Sequence, residues 1–395
     1  MSTADPIVIV GAKRTPMGAF QGELASLKAP QLGARAIEAA LSDAGVGVDD
    51  VDEVLMGCVL PAGQGQAPAR QAAIGAGIPM STGCTTINKM CGSGMKAAMF
   101  AHDLITAGTN QVMVAGGMES MTNAPYLLPK AREGYRMGHG QLLDHMFVDG
   151  LEDAFEPGRL MGSYAEDCAE HFQFTREAQD AFAIESLRRA NLASTDGTFA
   201  AEIAPLNVTQ RKTTLTIESD EQPRNAQPEK IPTLRPAFRK DGTVTPANSS
   251  SISDGGAALV MMRRSLAQQR GLDIKAIVHG HATHAQQPGW FTTAPIGAMN
   301  TLLEKVAWNT GDVDLYEINE AFAVVSMAAM RELDLPHDKV NVHGGACALG
   351  HPVGASGARI IVTLLNALEK YQLKRGVAAL CIGGGEATAM AIERV

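Results

Sequence analysis

Four short segments carry residues whose types and spacing could do chemistry. Cys91 stands in INKMCGSGMKAAMF. The GSG after it permits a tight turn, and Met95, Ala98, Met99 and His102 beyond it follow helical spacing, so the thiol is placed at a helix N-terminus. Backbone N–H groups and the helix dipole there favour a thiolate, below the reference thiol pKa of about 8.5. A single cysteine is more commonly a buried, inert thiol; the helix start and flanking glycines set Cys91 apart. His351 stands in NVHGGACALGHPVGASGAR, between Gly350 and Pro352. Such local restriction suits a fixed imidazole acting as a base or as a donor to an oxyanion. His343 and Cys347 share that segment and rank below His351 and Cys381. Cys381, in ALCIGGGEATAM, ends an apolar run and enters a triple-glycine turn that can aim several N–H groups at developing negative charge. Alone it reads as a strand-end cysteine. Asn319, in EINEAFA, leaves a strand for a helix; asparagine there caps a helix more often than it catalyses, and it could also hold a water through its amide.

Buried strands and helices must position these groups. IVIV (7–10), VLMGCVL (54–60) and QVMVAGG (111–117) are short apolar runs, and helical patterns cover 31–44 and 93–106. The C-terminal third repeats the alternation: strand at 274–283, helix at 297–308, strand into helix at 314–323, helix at 357–370 and strand at 376–385. This predicts an α/β fold with buried, largely parallel strands. Three pairs of segments match at an offset of 262 to 267 residues: VDEVLMG with VDLYEIN, GSG with ASG, and VMVAGGMES with ALCIGGGEAT. Three matches in near register predict an internal duplication of a β/α unit. Residues 121–250 are richer in Pro, Gly and charge and poorer in strand pattern, which marks a long insertion of the kind that carries function.

Composition narrows the class. The chain has 395 residues, 45% hydrophobic and 19% charged, with a net charge of −9. That is globular composition without the basic surplus of a duplex nucleic-acid binder. No apolar run reaches the roughly 18–20 residues of a membrane helix, and the N-terminus shows no targeting pattern, so a cytoplasmic protein is expected. Six cysteines without a CxxC pair argue against a disulfide framework or a structural zinc. The turn after IVIVG lacks G-x-G-x-x-G, and Walker, H-E-x-x-H and G-x-S-x-G patterns are absent, which removes the usual signals of nicotinamide, ATP, zinc-protease and serine-esterase chemistry. Residues 211–240 gather Arg211, Lys212, Arg224, Lys230, Arg235, Arg239 and Lys240 against four acids, a net +3. They form either a solvated loop or a dock for phosphates.

Taken together, NKMCGSG, NEAFA, GGACALGHPVGASG and CIGGG resemble, in order and spacing, the motifs of the thiolase family. LMGSYAED (160–167), LRPAF (234–238) and NSSSISDGGAAL (248–259) resemble runs of its short-chain acetyl-CoA acetyltransferase branch. The resemblance implies an α/β fold of two duplicated β/α halves in five layers, αβαβα, with an inserted loop domain. The boundaries are 1–120 completed by 251–273 for the first half, 121–250 for the insertion, and 274–395 for the second half. It implies Cys91 as the nucleophile that takes an acyl group from a thioester. His351 would activate Cys91 and then steady the enolate oxygen of the second substrate, beside a water held by Asn319. Cys381 would be the acid/base at the α-carbon, near neutral pKa once a polar turn and the histidine perturb it, and the Cys91 and Gly383 N–H groups would form the hole for the acyl oxyanion. Ser250 and Arg224 fall where coenzyme A is contacted, and Met161 and Phe291 where the acyl pocket is lined. Leu160, Phe291 and Ala387 depart from the commoner pattern and leave acyl width open. The implied reaction is the reversible condensation of two acetyl-CoA, or thiolysis of a short 3-ketoacyl-CoA, in fatty acid metabolism. It needs no metal and no cofactor beyond the coenzyme A thioester substrates. A homotetramer (a dimer of dimers) is implied through 126–140, with no nucleic-acid or membrane partner. A broader-chain degradative thiolase and a non-catalytic acyl-CoA- or lipid-binding relative are the alternatives.

Overall fold

The computed structural model describes residues 5–210 and 213–395; Arg211 and Lys212 of the basic segment lie outside the described residues. The first half contains β1 (Ile7–Arg14), α1 (Ala29–Ala44), β2 (Glu53–Gly57), α2 (Pro68–Gly75), β3 (Gly83–Ile87), α3 (Ser93–Ala107) and β4 (Val112–Ser120). The insertion supplies α4 (Met161–Phe172), α5 (Arg176–Thr195) and a hairpin of β5 (Leu206–Gln210) and β6 (Thr213–Ile217). The chain then returns to the first half as β7 (Ser253–Arg263). The second half follows as β8 (Ala276–Ala285), α6 (Ala294–Val306), β9 (Leu315–Ile318), α7 (Ala323–Glu332), α8 (Val353–Lys370), β10 (Arg375–Ile382) and β11 (Glu386–Arg394).

The long strands run in the order β9-β10-β11-β8-β1-β7-β4-β2-β3. Each half repeats one plan. In the first, β2 lies parallel to β4, β4 antiparallel to β7, and β7 antiparallel to β1. In the second, β9 lies parallel to β10, β10 antiparallel to β11, and β11 antiparallel to β8. The edge strand β3 has its counterpart in the single parallel bridge of Tyr316 to Val340. The three sequence matches thus fall on β2 with β9, on α3 with α8, and on β4 with β10. Only three of the eight pairings among these strands are parallel, which corrects the expectation of a largely parallel sheet. Apolar runs such as IVIV report burial on both faces, and burial does not set strand direction. The halves also join edge to edge, through two register pairs only, Val8 with Ile277 and Ile9 with Ala276.

Strand alternation explains the layers. Ile7 and Ile9 pack with Met95 and Ile360 of α3 and α8, whereas Val8 and Val10 pack with Ile37 and Leu41 of α1. In β10, Ala378 and Leu380 face α8, and Val377 and Ala379 face Met299 and Leu302 of α6. Both faces of each half-sheet are therefore covered by helices, giving the five-layer αβαβα order. Central α8 is buried at fifteen of its eighteen positions, as a helix between two sheets must be. It meets α3 at glycines: a Cβ on Gly357 would lie 2.4 Å from Met95 N, and one on Gly94 would lie 2.8 Å from Ala358 N. We expect Gly357→Ala to lower the urea unfolding midpoint by an amount equivalent to about 1–3 kcal/mol, the usual cost of overpacking a dense core. An unchanged midpoint would refute this close contact.

Candidate active site

The two central helices deliver two of the four segments. Cys91 ends the turn that leads into α3, and Gly92 caps the helix. Met90 is held at a φ of 46°, a conformation unusual for a residue with a side chain. The turn is locked by Ser93: the Lys89 N–H donates to Ser93 Oγ at 2.8 Å, and that hydroxyl donates to Met90 O at 2.6 Å. Gly92 lets this turn approach the end of β10, since a Cβ there would lie 2.4 Å from Ile382 Cδ1. Cys381 and Gly383 sit at that strand end, where Gly384 and Gly385 take φ of 92° and 87°, angles that favour glycine.

His351 immediately precedes α8. Its N–H donates to Ser251 O at 3.1 Å. Its Nδ1 lies 2.6 Å from Ser356 Oγ, whose hydroxyl donates to Pro352 O at 3.0 Å. Ser356 Oγ therefore accepts from Nδ1–H, which places the lone pair on Nε2; among the described residues Nε2 has no hydrogen-bond partner. Cys91, His351, Cys381 and Gly383 line one cavity of about 350 Å³. Its remaining wall includes Leu160, Met161, Phe291 and Phe322, with Ser249, Ser250 and Ser251 on one side.

Burial dominates the electrostatics. It pushes the Cys91 thiol up to about 11, against the opposing hydrogen bonds of the Gly383 and Cys91 N–H groups. Cys381 is raised well above the ordinary thiol value by burial and by its proximity to Cys91. His351 is lowered to about 3 by burial and then by the Arg359 charge. These directions correct two expectations: neither thiol is drawn toward neutral pH. A helix N-terminus supplies fractional charge, and here desolvation of the sulfur outweighs it. The resting site holds two thiols and a neutral imidazole.

Asn319 is buried but is not part of the cavity lining. Its Oδ1 accepts from Arg359 at 3.3 Å, and its Nδ2 has no partner among the described residues. Ser250, Met161 and Phe291 line the cavity as the resemblance implies. Arg224 does not; it is ion-paired with Glu23 at 2.6 Å on a short helix away from the lining. Arg239 is likewise paired, with Asp167 and Glu170, so two of the seven cations of the basic segment are neutralised locally. Ala387 lies behind the site in β11, opposite Cys381. His343 and Cys347 are also outside the cavity lining; His343 packs against Phe199 and Tyr371, and Cys347 lies over Glu320.

Three supporting residues escaped the sequence reading. Ser356 orients His351, and Arg359 holds Asn319. Buried Glu119, at the end of β4, accepts N–H bonds from Val59 at 2.8 Å, Leu60 at 3.1 Å and Gly354 at 2.9 Å. It thereby ties the first half to the start of α8. The available signal was a charged residue closing the apolar run VMVAGGMES.

Residues 7–265 match the family description "Thiolase, N-terminal domain", and residues 272–394 match "Thiolase, C-terminal domain". Acetyl-CoA acetyltransferase 2 of Arabidopsis thaliana is 50% identical over 390 residues, covering 98% of this chain and 96% of its own. The acetyl-CoA acetyltransferase of Pseudomonas aeruginosa is 47% identical, covering 98% and 99%. Among solved structures, that of the Bacillus anthracis acetyl-CoA acetyltransferase superposes with a TM-score of 0.96 at 39% identity, covering 99% of both chains. A thiolase from Ascaris suum in complex with coenzyme A gives 0.93 at 42% identity, covering 99% of this chain and 100% of that one.

A raised thiol pKa has a direct kinetic signature. Alkylation of Cys91 by iodoacetamide in the free enzyme is expected to keep accelerating from pH 7 to beyond pH 9, because the thiolate fraction still grows there when the pKa is about 11. A plateau below pH 8 would show that the thiol is not raised.

Proposed function

This chain belongs to the thiolase family, and from that premise we propose that it is an acetyl-CoA acetyltransferase, joining two acetyl-CoA into acetoacetyl-CoA and cleaving short 3-ketoacyl-CoA in reverse. The observation that carries this reading is the convergence of Cys91, His351, Cys381 and Gly383 on one cavity. In the proposed sequence His351 Nε2 takes the Cys91 proton, and the sulfur attacks the thioester carbonyl. The Cys91 and Gly383 N–H groups, both directed at the Cys91 sulfur, steady the oxyanion. The expelled coenzyme A thiolate takes the Cys381 proton, leaving acetyl-Cys91, a Cys381 thiolate and a protonated His351. The thiolate then removes an α-proton from the second acetyl-CoA. Its burial makes it a stronger base than an exposed thiolate. The protonated Nε2 and a water on the free Nδ2 of Asn319 steady the enolate oxygen. The enolate carbon attacks acetyl-Cys91, and the released Cys91 sulfur recovers its proton from His351. Protons and charge balance over the cycle, which divides one hard condensation into two easier steps.

The cavity wall formed by Leu160, Met161, Phe291 and Phe322 suits a short apolar acyl group, and Ser250 on the same lining offers it a polar contact. Lys230, Arg235 and Lys240 are exposed, and Ala237 and Phe238 between them line the cavity. In our reading these cations, rather than Arg224, meet the coenzyme A phosphates. We divide the chain into 1–120 with 251–273, an inserted domain over 121–250, and 274–395. The exposed apolar side chains of Tyr126, Leu128, Tyr135 and Met137 support assembly through 126–140 into a homotetramer, since such a patch on one chain marks an interface. Six free cysteines fit a reducing cytoplasm, with a place in fatty acid metabolism. No helix among the described residues is long and apolar enough to cross a membrane.

Incubation with acetyl-CoA should add about 42 Da to the Cys91 peptide, the mass of one acetyl group in a covalent acyl-enzyme. Cys91→Ser should abolish the adduct. Cys381→Ala should still acetylate, while thiolysis of acetoacetyl-CoA falls by about 10²–10⁴, the usual loss for a general acid/base. Full thiolysis by Cys381→Ala, or no adduct on Cys91, would overturn the assignment. A ladder of 3-ketoacyl-CoA lengths separates the acetoacetyl reading from a broader-chain one.

A further inference from the structure

A second group of titratable side chains lies away from the cavity. His102 and Asp103, late in α3, meet His281 of β8. His281 Nε2 lies 2.9 Å from Asp103 Oδ1, and His102 Nδ1 lies 3.2 Å from the same oxygen. The two rings meet edge to face, with centroids 5.1 Å apart. One ligand atom from each residue falls within 4.8 Å of the others. Ligands on one zinc at about 2.0–2.1 Å stand roughly 3–3.5 Å apart, so a small side-chain rotation closes the set on an ion. His281 is buried, His102 is half-buried and Asp103 is exposed. The carboxylate therefore opens toward solvent, which provides an entry path and room for a water as fourth ligand. Lys305 is the nearby cation, and its Nζ is held by the His281 carbonyl oxygen at 3.0 Å.

We infer that His102, Asp103 and His281 form a binding site for a divalent transition metal of the zinc class, bridging the two halves of the chain. The donor set, two imidazoles and a carboxylate, is one that zinc accepts with an open position. Both rings are held below the ordinary histidine pKa, chiefly by burial, so each is a neutral imidazole whose N–H toward the Asp103 carboxylate is given up when a metal binds. The proposed reaction uses none of the three. They lie about ten residues along α3 from Cys91, roughly 15 Å at 1.5 Å per residue, so the ion stays out of the cavity. Its place is structural: α3 belongs to the first half and β8 to the second, and strand pairing between the halves amounts to two register pairs. A metal here would clamp the joint.

The test uses the full chain with Cys91 blocked by iodoacetamide, so that the cavity thiol does not compete. Titration with Co²⁺ should give saturable visible absorption at one equivalent per chain, without the intense near-ultraviolet band of a thiolate ligand, and Zn²⁺ should bleach it. Zn²⁺ should also raise the melting temperature. His281→Gln and Asp103→Asn should each weaken binding at least tenfold and remove the thermal shift; Asp103 is exposed, so its variant is expected to melt like the parent in the absence of metal. No saturable binding, a thiolate band, or binding unchanged in both variants would overturn the inference.

Discussion

At the crossing of α3 and α8 there is no room for a single added carbon, and the site depends on that contact. Gly94 and Gly357 face backbone atoms of the opposite helix, so the helices approach more closely than side chains would allow. Both begin beside the same cavity: Cys91 lies just before α3 and His351 just before α8. The distance between Cys91 and His351 is thus fixed by the packing of two buried helices, which is stiffer than any loop. Glu119 extends the same constraint by binding N–H groups from both halves. Gly92 extends it to β10, admitting the Cys91 turn against Ile382 and so beside Cys381.

The interior in which these groups meet is dry enough that burial overrides the local dipoles. Burial holds the Cys91 and Cys381 thiols above, and the His351 imidazole below, their ordinary pKa values. Ser356 matters here because its hydroxyl settles which imidazole nitrogen carries the free lone pair. Arg359 plays the matching part for Asn319, turning the carbonyl side of the amide away and leaving the donor side free.

Much of this was legible in the linear chain, and the gaps have physical causes. Apolar runs and helical spacing located most elements of both halves, and the three offset matches revealed the duplication because equivalent strands and helices repeat their burial demands. Cys91, His351 and Cys381 stood out because glycines surround them where backbones approach closely. Strand direction was not legible, since a strand buried on both faces looks alike whichever way its neighbours run. β3 and β11 escaped because GCTTI is a half-exposed edge and the alanine-rich EATAMAIER carries little β-branched signal. The thiol pKa values were misjudged because local dipoles can be read from a motif, whereas desolvation comes from side chains hundreds of positions away. The ion pair of Arg224 was not legible for a related reason: its partner Glu23 is about two hundred residues distant in sequence.

The repeated plan of the two halves has a consequence for how such a site can arise. Two identical, separately made copies around a symmetry axis would present every side chain twice, and a nucleophile on one would face its own duplicate on the other. Covalent fusion removes that equality. In this chain one copy carries Cys91, while the other carries His351, Cys381 and Asn319. At the strand position matching Cys381 the first copy has Val114, fully buried in the core, so a cavity-lining cysteine in one repeat is matched by plain structural filling in its twin.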